Sequence, residues 1–366
     1  MTSTLMIVDR DFALRSGSRA RIAALVNLFR ASDYRISFLA PDTVNLTGLA
    51  IENEPVFRAP VSAFRRGDPA ALDRRPYVPA LAQACGQVTP NVVVAEYLWL
   101  SPLLALTPAS CVRLVDTHSV FHARVADYRA AGLDPWVACS ASEEAALLAH
   151  ADGILAIQAD EADALRAMLP GHPVAVVPHP VEVVTNPKPS CGSAMLFVGA
   201  AHAGNLGIRT FVETALPRII RRVPDAELWV CGDIVRHLSA APGLRLLGRV
   251  EDVGSVYDET AVVVCPIELG SGLKIKVIEA LAAGRAIVGS ARAFAGMPTL
   301  SSPAWCVADT PAEQADAVVA LLNNPARRHA MEVHALSYAS AHFSREVARK
   351  RLTEVIQNGR GRRSDM

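Results

Sequence analysis

Short apolar runs rich in β-branched residues recur along this chain, and each is followed by a longer segment of helical spacing. The runs at 5–8, 35–39, 92–95, 112–115, 154–157 and 174–177 read as strands, and after a break so do 195–198, 228–230, 262–265 and 287–289. Strands covered on both faces are near-continuous apolar runs, and parallel neighbours need a long crossover between them, which the intervening segments supply. Residues 19–29 carry Ile22, Leu25, Val26 and Phe29 on one helical face, and helices are also expected over 160–168, 208–222, 275–283 and 311–322. The pattern predicts an α/β protein with doubly wound parallel sheets.

The alternation is broken once, at 183–192, where Thr185, Asn186, Pro187, Pro189, Ser190 and Gly192 crowd together as in a linker. A chain of 366 residues also exceeds the size at which one core keeps growing. Two domains are therefore expected, 1–183 and 193–343, each wound on its own. The segment 344–366 reads as a last helix over about 345–356, amphipathic through Val347, Leu352 and Val355, which crosses back to the first domain before a frayed polar tail at 358–366.

Charge excludes several partners. With 36 basic and 36 acidic residues no net field favours nucleic acid or an anionic membrane, so any anion site must be local. The seven cysteines are odd in number and scattered, without metal-ligand spacing, which fits reduced thiols in the cytoplasm. The amino-terminal apolar run is too short for a secretory signal, and no stretch suits a membrane span.

The densest local signal follows the run at 262–265, where Gly270, Ser271 and Gly272 lead through Leu273 and Lys274 into a helix bearing Lys276 and Glu279. A glycine-bearing loop that opens a helix presents free amides at the positive end of the dipole, a ready phosphate site. Lys276 and Glu279 lie three apart on one face, so a cation and an acceptor can address one ligand. Spacing alone equally allows an ordinary helix start with an exposed Lys and Glu.

These residues carry a resemblance. The stretch from Phe197, Val198 and Gly199 through Pro224, Asp225, Gly248 and Val250, and then 270–290, resembles the nucleotide-sugar domain of group 1 glycosyltransferases of the GT-B type. Their loop reads Gly-Gly-Gly-Thr-Arg-Leu-Lys-Val-Leu-Glu-Ala, against Gly270, Ser271, Gly272, Leu273, Lys274, Ile275, Lys276, Val277, Ile278, Glu279 and Ala280 here. The resemblance implies two Rossmann-like doubly wound domains facing a cleft, with Gly270, Ser271, Gly272, Lys274 and Lys276 at the donor diphosphate and Glu279 at the nucleoside ribose. The chain departs from many relatives in having Ser271 where a second glutamate contacts the donor sugar. It also has Ala200, Ala201, His202, Ala203, Gly204 and Asn205 where an arginine and a lysine are common. His202 and Asn205 are the possible donor-sugar or phosphate contacts there, and a plain exposed loop is the alternative.

The first half resembles the family through Asp116, Thr117 and His118 at a strand end, with Arg124 after it. The resemblance makes His118, with Asp116, the catalytic-region candidate; a strand-terminal histidine satisfied by backbone, with Asp116 as a cap, is the alternative. Gly17, within the loop of Arg15, Ser16, Ser18 and Arg19, is a candidate for close approach to the donor phosphate, and a plain helix cap at Ser18 is the alternative. Glu143 and Glu144 read as scaffold. Arg58, Arg65, Arg66, Arg74 and Arg75 form either a solvated face or, less favoured, a peripheral membrane contact.

The implied reaction is attack of an acceptor hydroxyl on a nucleoside-diphosphate sugar with retention of configuration, the leaving phosphate taking the proton. It calls for no cofactor and no metal. A nucleotide-sugar epimerase on the same fold and a catalytically inactive GT-B partner protein are the competing readings.

Overall fold

A computed structural model of the protein describes residues 2–8, 17–44, 54–60, 73–135, 137–270, 272–299 and 303–364. The chain divides into two units, Met1–Pro180 with Arg345–Met366, and Val181–Ser344.

In the first unit, β1 (Thr2–Ile7), β2 (Tyr34–Pro41), β3 (Val56–Ala59), β4 (Val92–Glu96), β5 (Val112–Asp116), β6 (Gly153–Ala156) and β7 (Val174–Val176) form a parallel sheet in the order β3-β2-β1-β4-β5-β6-β7. Alternation along the strands separates two apolar layers. Leu5, Ile7, Val93, Ala95 and Val115 face a layer completed by Tyr77, Leu81, Leu148 and Leu165 of the helices Tyr77–Val88, Ala141–Leu148 and Ala159–Met168. Met6, Val92, Val94 and Leu114 face the other, completed by Ile22, Leu25, Val26 and Phe29 of the helix Gly17–Arg30.

That second layer also receives Ala348, Leu352, Val355 and Ile356 of the last helix, Arg345–Ser364. Its helix runs through most of the segment expected to fray. The apolar stripe continues to buried Gly359, where an added Cβ would lie 2.7 Å from Val112 Cγ1, so packing on β5 holds this turn.

In the second unit, β8 (Ala194–Val198), β9 (Glu227–Cys231), β10 (Leu244–Gly248), β11 (Val262–Cys265), β12 (Ala286–Gly289) and β13 (Trp305–Val307) form a parallel sheet in the order β10-β9-β8-β11-β12-β13. One core runs through it from Phe197 and Phe211 to Leu281 and Phe343. The helix expected over 208–222 is instead two short α-helices, Gly207–Thr210 and Leu216–Ile220, joined by a π-helical turn at Phe211–Ala215. Pro217 is the reason: it has no N–H to donate and its ring crowds the preceding turn, which widens.

Strands β3, β10 and β13 fall outside the strands read from sequence. Arg58 interrupts the apolar run of β3, β10 is largely half-exposed, and β13 has only three residues. In both sheets the order reverses beside the first strand, between β1 and β4 and between β8 and β11. Ligands of such sheets bind beyond the carboxyl ends of the strands at that reversal.

Candidate functional site

In the second unit the loops following β8 and β11 meet at this reversal. Gly207 allows the approach, since a Cβ there would lie 2.1 Å from the Pro266 carbonyl oxygen. Gly270 and Gly272 take φ of +102° and +87°, conformations that side chains resist, and so turn the chain into the helix Ile275–Ala282. No side chain caps that helix and its first turn holds no acid, so its positive end is not internally neutralised.

Lys276 reaches from this first turn to Asn205 Oδ1 at 2.5 Å, and its ammonium lies 4.3 Å from the centre of the Phe197 ring. Burial pushes the ammonium down to about 8, against the pull of Cys265 and Glu279. Glu279 is partly buried, its carboxylate makes no hydrogen bond or ion pair among the described residues, and burial pushes that carboxyl up to about 7 against the Lys276 charge. Lys276, Glu279 and Asn205 are thus brought together at the reversal.

The other candidates of this unit are placed differently. Lys274 donates to the carbonyls of Gly270 and Gly272, which staples its own loop. His202 is exposed and its Nδ1 accepts from the Gly204 amide at 3.0 Å, capping the turn that ends in Asn205. Asn205 is 4% exposed and donates to the Ala200 carbonyl at 2.8 Å, which aims its oxygen at Lys276. Ser271 lies outside the described residues. A pocket of about 270 Å³, unanticipated from sequence, opens beyond β11, β12 and β13, lined by Gly207, Glu268, Ser290, Arg292 and Asp309 among others. None of the donor-site candidates lines it.

In the first unit the carboxyl ends of β4 and β5 hold a buried polar cluster. Glu96 and Asp116 are direct partners across the two strands, and both are fully buried. Arg21 donates Nε and Nη2 to the two Asp116 oxygens at 3.0 Å each and Nη1 to the Pro178 carbonyl at 2.8 Å. His118 Nε2 lies 2.7 Å from Glu96 Oε2 and 3.6 Å from Asp116 Oδ2.

The backbone at this cluster is strained. His118 and Tyr97 take φ of +60° and +73°, and their rings stack at 4.1 Å. Left-handed non-glycine residues cost about 1–3 kcal/mol each and gather at functional sites.

Burial pushes Glu96 up to about 7, helped by Asp116 and opposed by its bond to His118. Burial also works against charge on Asp116 and His118. The Arg21 and His118 charges nevertheless hold Asp116 below the usual carboxylate value, and Asp116 and Glu96 hold His118 above the usual imidazole value. Glu96, Asp116 and His118 bring possible ligand atoms within 4.8 Å of one another. The guanidinium of Arg21 already occupies both Asp116 oxygens and provides the compensating cation, so the set is a neutralised ion cluster rather than an open cage for a second cation.

Sequence reading found His118 and Asp116 but missed Glu96 and Arg21. The available signal was a charged residue ending the otherwise apolar strand β4. Gly17 is the first residue of its helix and exposed rather than part of a loop, while residues 9–16 lie outside the described residues. Glu144 accepts from the amides of Phe121 and His122, capping the helix Phe121–Ala130. Arg124 lies 5.8 Å and 5.6 Å from the ring centres of Phe121 and Tyr128. Arg58 and Arg74 donate to backbone carbonyls and Arg75 pairs with Asp73, while Arg65 and Arg66 lie outside the described residues. Among the described residues no helix is long and apolar enough to cross a membrane.

Residues 16–186 match the family model of the glycosyl transferase 4-like domain, and residues 192–324 match that of the glycosyl transferases group 1. Over 110 residues the chain is 34% identical to a phosphatidyl-myo-inositol mannosyltransferase of Mycobacterium tuberculosis, an alignment covering 28% of this chain and 29% of the relative. The chain thus spans about 29% of the length of that curated relative. Sucrose-phosphate synthase from Thermosynechococcus elongatus is similar in structure with a TM-score of 0.74 at 14% identity, covering 98% of each chain. Anabaena HepE in complex with UDP and glucose is similar with a TM-score of 0.70 at 12% identity, covering 98% of this chain and 100% of that one. Two parallel-sheet α/β units and a likeness in fold to GT-B proteins agree with these matches: the chain carries a glycosyl transferase 4-like domain over 16–186 and a glycosyl transferases group 1 domain over 192–324.

Proposed function

We propose that the protein transfers a glycosyl unit from a nucleoside-diphosphate sugar to an acceptor hydroxyl. The observation that carries this reading is the grouping of Lys276, Glu279 and an uncapped helix start on the second unit. The helix amides and the Lys276 ammonium suit a diphosphate, and the unpaired Glu279 carboxylate suits a pair of ribose hydroxyls. A leaving diphosphate gains charge as the glycosidic bond breaks, so a cation and amides fixed around it lower the barrier. In this reading the proton of the acceptor hydroxyl passes to the departing phosphate and configuration is retained, with neither a resident cofactor nor a metal required. That HepE holds UDP and glucose supports the choice of donor class. None of the seven cysteines is joined in a disulfide, which fits a reducing, cytoplasmic setting.

The test is to incubate the protein with a panel of nucleoside-diphosphate sugars and measure nucleoside diphosphate release with and without hydroxyl acceptors. Release that depends on an acceptor supports transfer. Formation of an epimeric nucleotide sugar without any acceptor would establish epimerisation, and tight binding with no turnover would establish an inactive partner.

A further inference from the structure

We propose that Glu96 is a positioning residue that fixes Nε2–H of His118 in a charge-assisted bond and so presents the Nδ1 edge of that ring to a hydroxyl or oxyanion of the sugar or acceptor. The proposal rests on the transfer reading and adds to it a residue that the motif does not contain. The geometry carries it. The bond between Nε2 and Oε2 is 2.7 Å, Glu96 is fully buried, and Asp116, the neighbouring acid, is held by Arg21 instead.

The ring is fixed on its other sides as well. Tyr97 stacks on it, and its φ of +60° sets its direction at the end of β5. The side chain is 6% exposed, and Nδ1 has no hydrogen-bond partner among the described residues. One nitrogen is thereby committed to Glu96 and the other is left for a ligand, the division that fixes which nitrogen does the work in an acid–base histidine. The second Glu96 oxygen has no partner in this cluster and holds capacity for one more hydrogen bond.

The charged and titratable groups around the ring come from every element packed there. Glu96 belongs to β4 and Asp116 to β5, while Arg21 projects from the helix Gly17–Arg30. His179 follows β7 and bears on Arg21 and Asp116, and Glu161, on the helix Ala159–Met168, bears on Asp116, Arg124 and His118. Two of these, Asp116 and Glu96, stabilise the imidazolium, whereas Arg21 opposes it. Because Arg21 is matched against Asp116 by two hydrogen bonds, Glu96 is the acid that can be changed without unmatching Arg21, and it gives His118 both a hydrogen bond and a charge.

The test is an NMR titration of ring-labelled histidines in the whole protein, with the His118 signal assigned among the 10 histidines by its loss in His118→Asn. In Glu96→Gln, which keeps an acceptor but removes the charge, the His118 midpoint should fall by about 1 to 3 pH units. The alkaline limb of the turnover profile should move to lower pH with it, and Glu96→Asp should recover part of both shifts. If Glu96→Gln does not fold by circular dichroism, Glu96→Asp alone decides, with a smaller fall expected. An unchanged midpoint in a folded variant overturns the proposal. A parent protein that turns over no nucleotide sugar would instead sink the transfer reading, while the titration would still decide whether Glu96 sets the state of His118.

Discussion

Lys276 Nζ and Asn205 Oδ1 meet at 2.5 Å although the two residues are 71 positions apart, because β8 and β11 are neighbours and their following loops converge. Asn205 is itself fixed by its bond to the Ala200 carbonyl, so it holds the flexible lysine in one place. Preorganising a cation before the ligand arrives leaves less side-chain freedom to lose on binding.

Two substitutions separate the charge from its support. Lys276→Ala removes a charge-assisted contact worth about 1.5–3 kcal/mol, so nucleoside diphosphate affinity should fall roughly ten- to a hundredfold, and turnover should fall as well. Asn205→Ala keeps the ammonium and loses only its anchor, so affinity should fall severalfold as the lysine regains freedom that binding must remove. Calorimetry on both variants checks this. Equal affinities in parent and Lys276→Ala would remove the donor assignment.

Lys276 and Glu279 together set a pH dependence. Glu279 titrates at about 7 and Lys276 at about 8 in the free protein, both displaced by burial. Diphosphate binding needs Lys276 protonated and ribose binding needs Glu279 ionised, so affinity should rise as pH passes 7 and fall as it passes 8. Outside that window each lost charge should weaken binding by roughly tenfold per pH unit at most. Glu279→Gln should bind more weakly at the optimum and lose the Glu279 contribution to the acid limb. An acid limb of the same shape in that variant would show that another group controls it.

Much of this site was legible because its information is local. Glycines at 270 and 272, the lysine at 276 and the glutamate at 279 lie on one loop and one helix, and helical periodicity alone places the last two on one face. Glu96 and Arg21 were not legible for the opposite reason. Their partners are chosen by the register that sets Glu96 beside Asp116 and by a helix that crosses the sheet, and neither is encoded within a window of neighbouring residues. Asn205 could be named as a possible contact from its loop, but its bond to Lys276 follows only from the pairing of β8 and β11. Edge strands were missed because β3 and β10 carry exposed polar residues, so their apolar signal is weak.

Glu161, at the margin of the His118 cluster, offers a stability test. It is 6% exposed, its Oε2 has no hydrogen-bond partner among the described residues, and burial pushes it up to about 7. A carboxyl whose folded value is raised binds more protons in the folded state between its unfolded value and about 7, so its contribution to stability declines as pH rises through that window. Glu161→Gln should therefore be more stable than the parent at pH 8, by about 1–3 kcal/mol, and nearly equal to it at pH 4. Urea unfolding at the two pH values measures the difference. A variant that loses stability at pH 8 would mean that the ionised carboxylate is stabilising after all.

Arg21 provides the complementary case, a buried cation whose loss leaves acids uncompensated. Its guanidinium makes both bonds to Asp116 and a third to Pro178, and no other side chain has that planar fork. Arg21→Met retains apolar bulk yet leaves Asp116 beside Glu96 without its counter-charge, and breaking a buried pair from one side costs about 3–5 kcal/mol. The penalty should depend on pH in a definite direction. In the parent the folded value of Asp116 is depressed, so its stabilising contribution is present above the unfolded value and is lost only as pH falls through the lower folded one. In the variant the guanidinium is gone and burial raises Asp116 instead, so protonation relieves the variant at a pH where the parent is still fully paired. The destabilisation should be largest near pH 7 and shrink toward pH 4. Arg21→Lys should lie between, since one ammonium cannot make both carboxylate bonds and reach Pro178. Chemical denaturation followed by circular dichroism at several pH values provides the comparison. A stability difference that stays constant from pH 7 to pH 4 would show that Arg21 acts through packing rather than through the charge of Asp116.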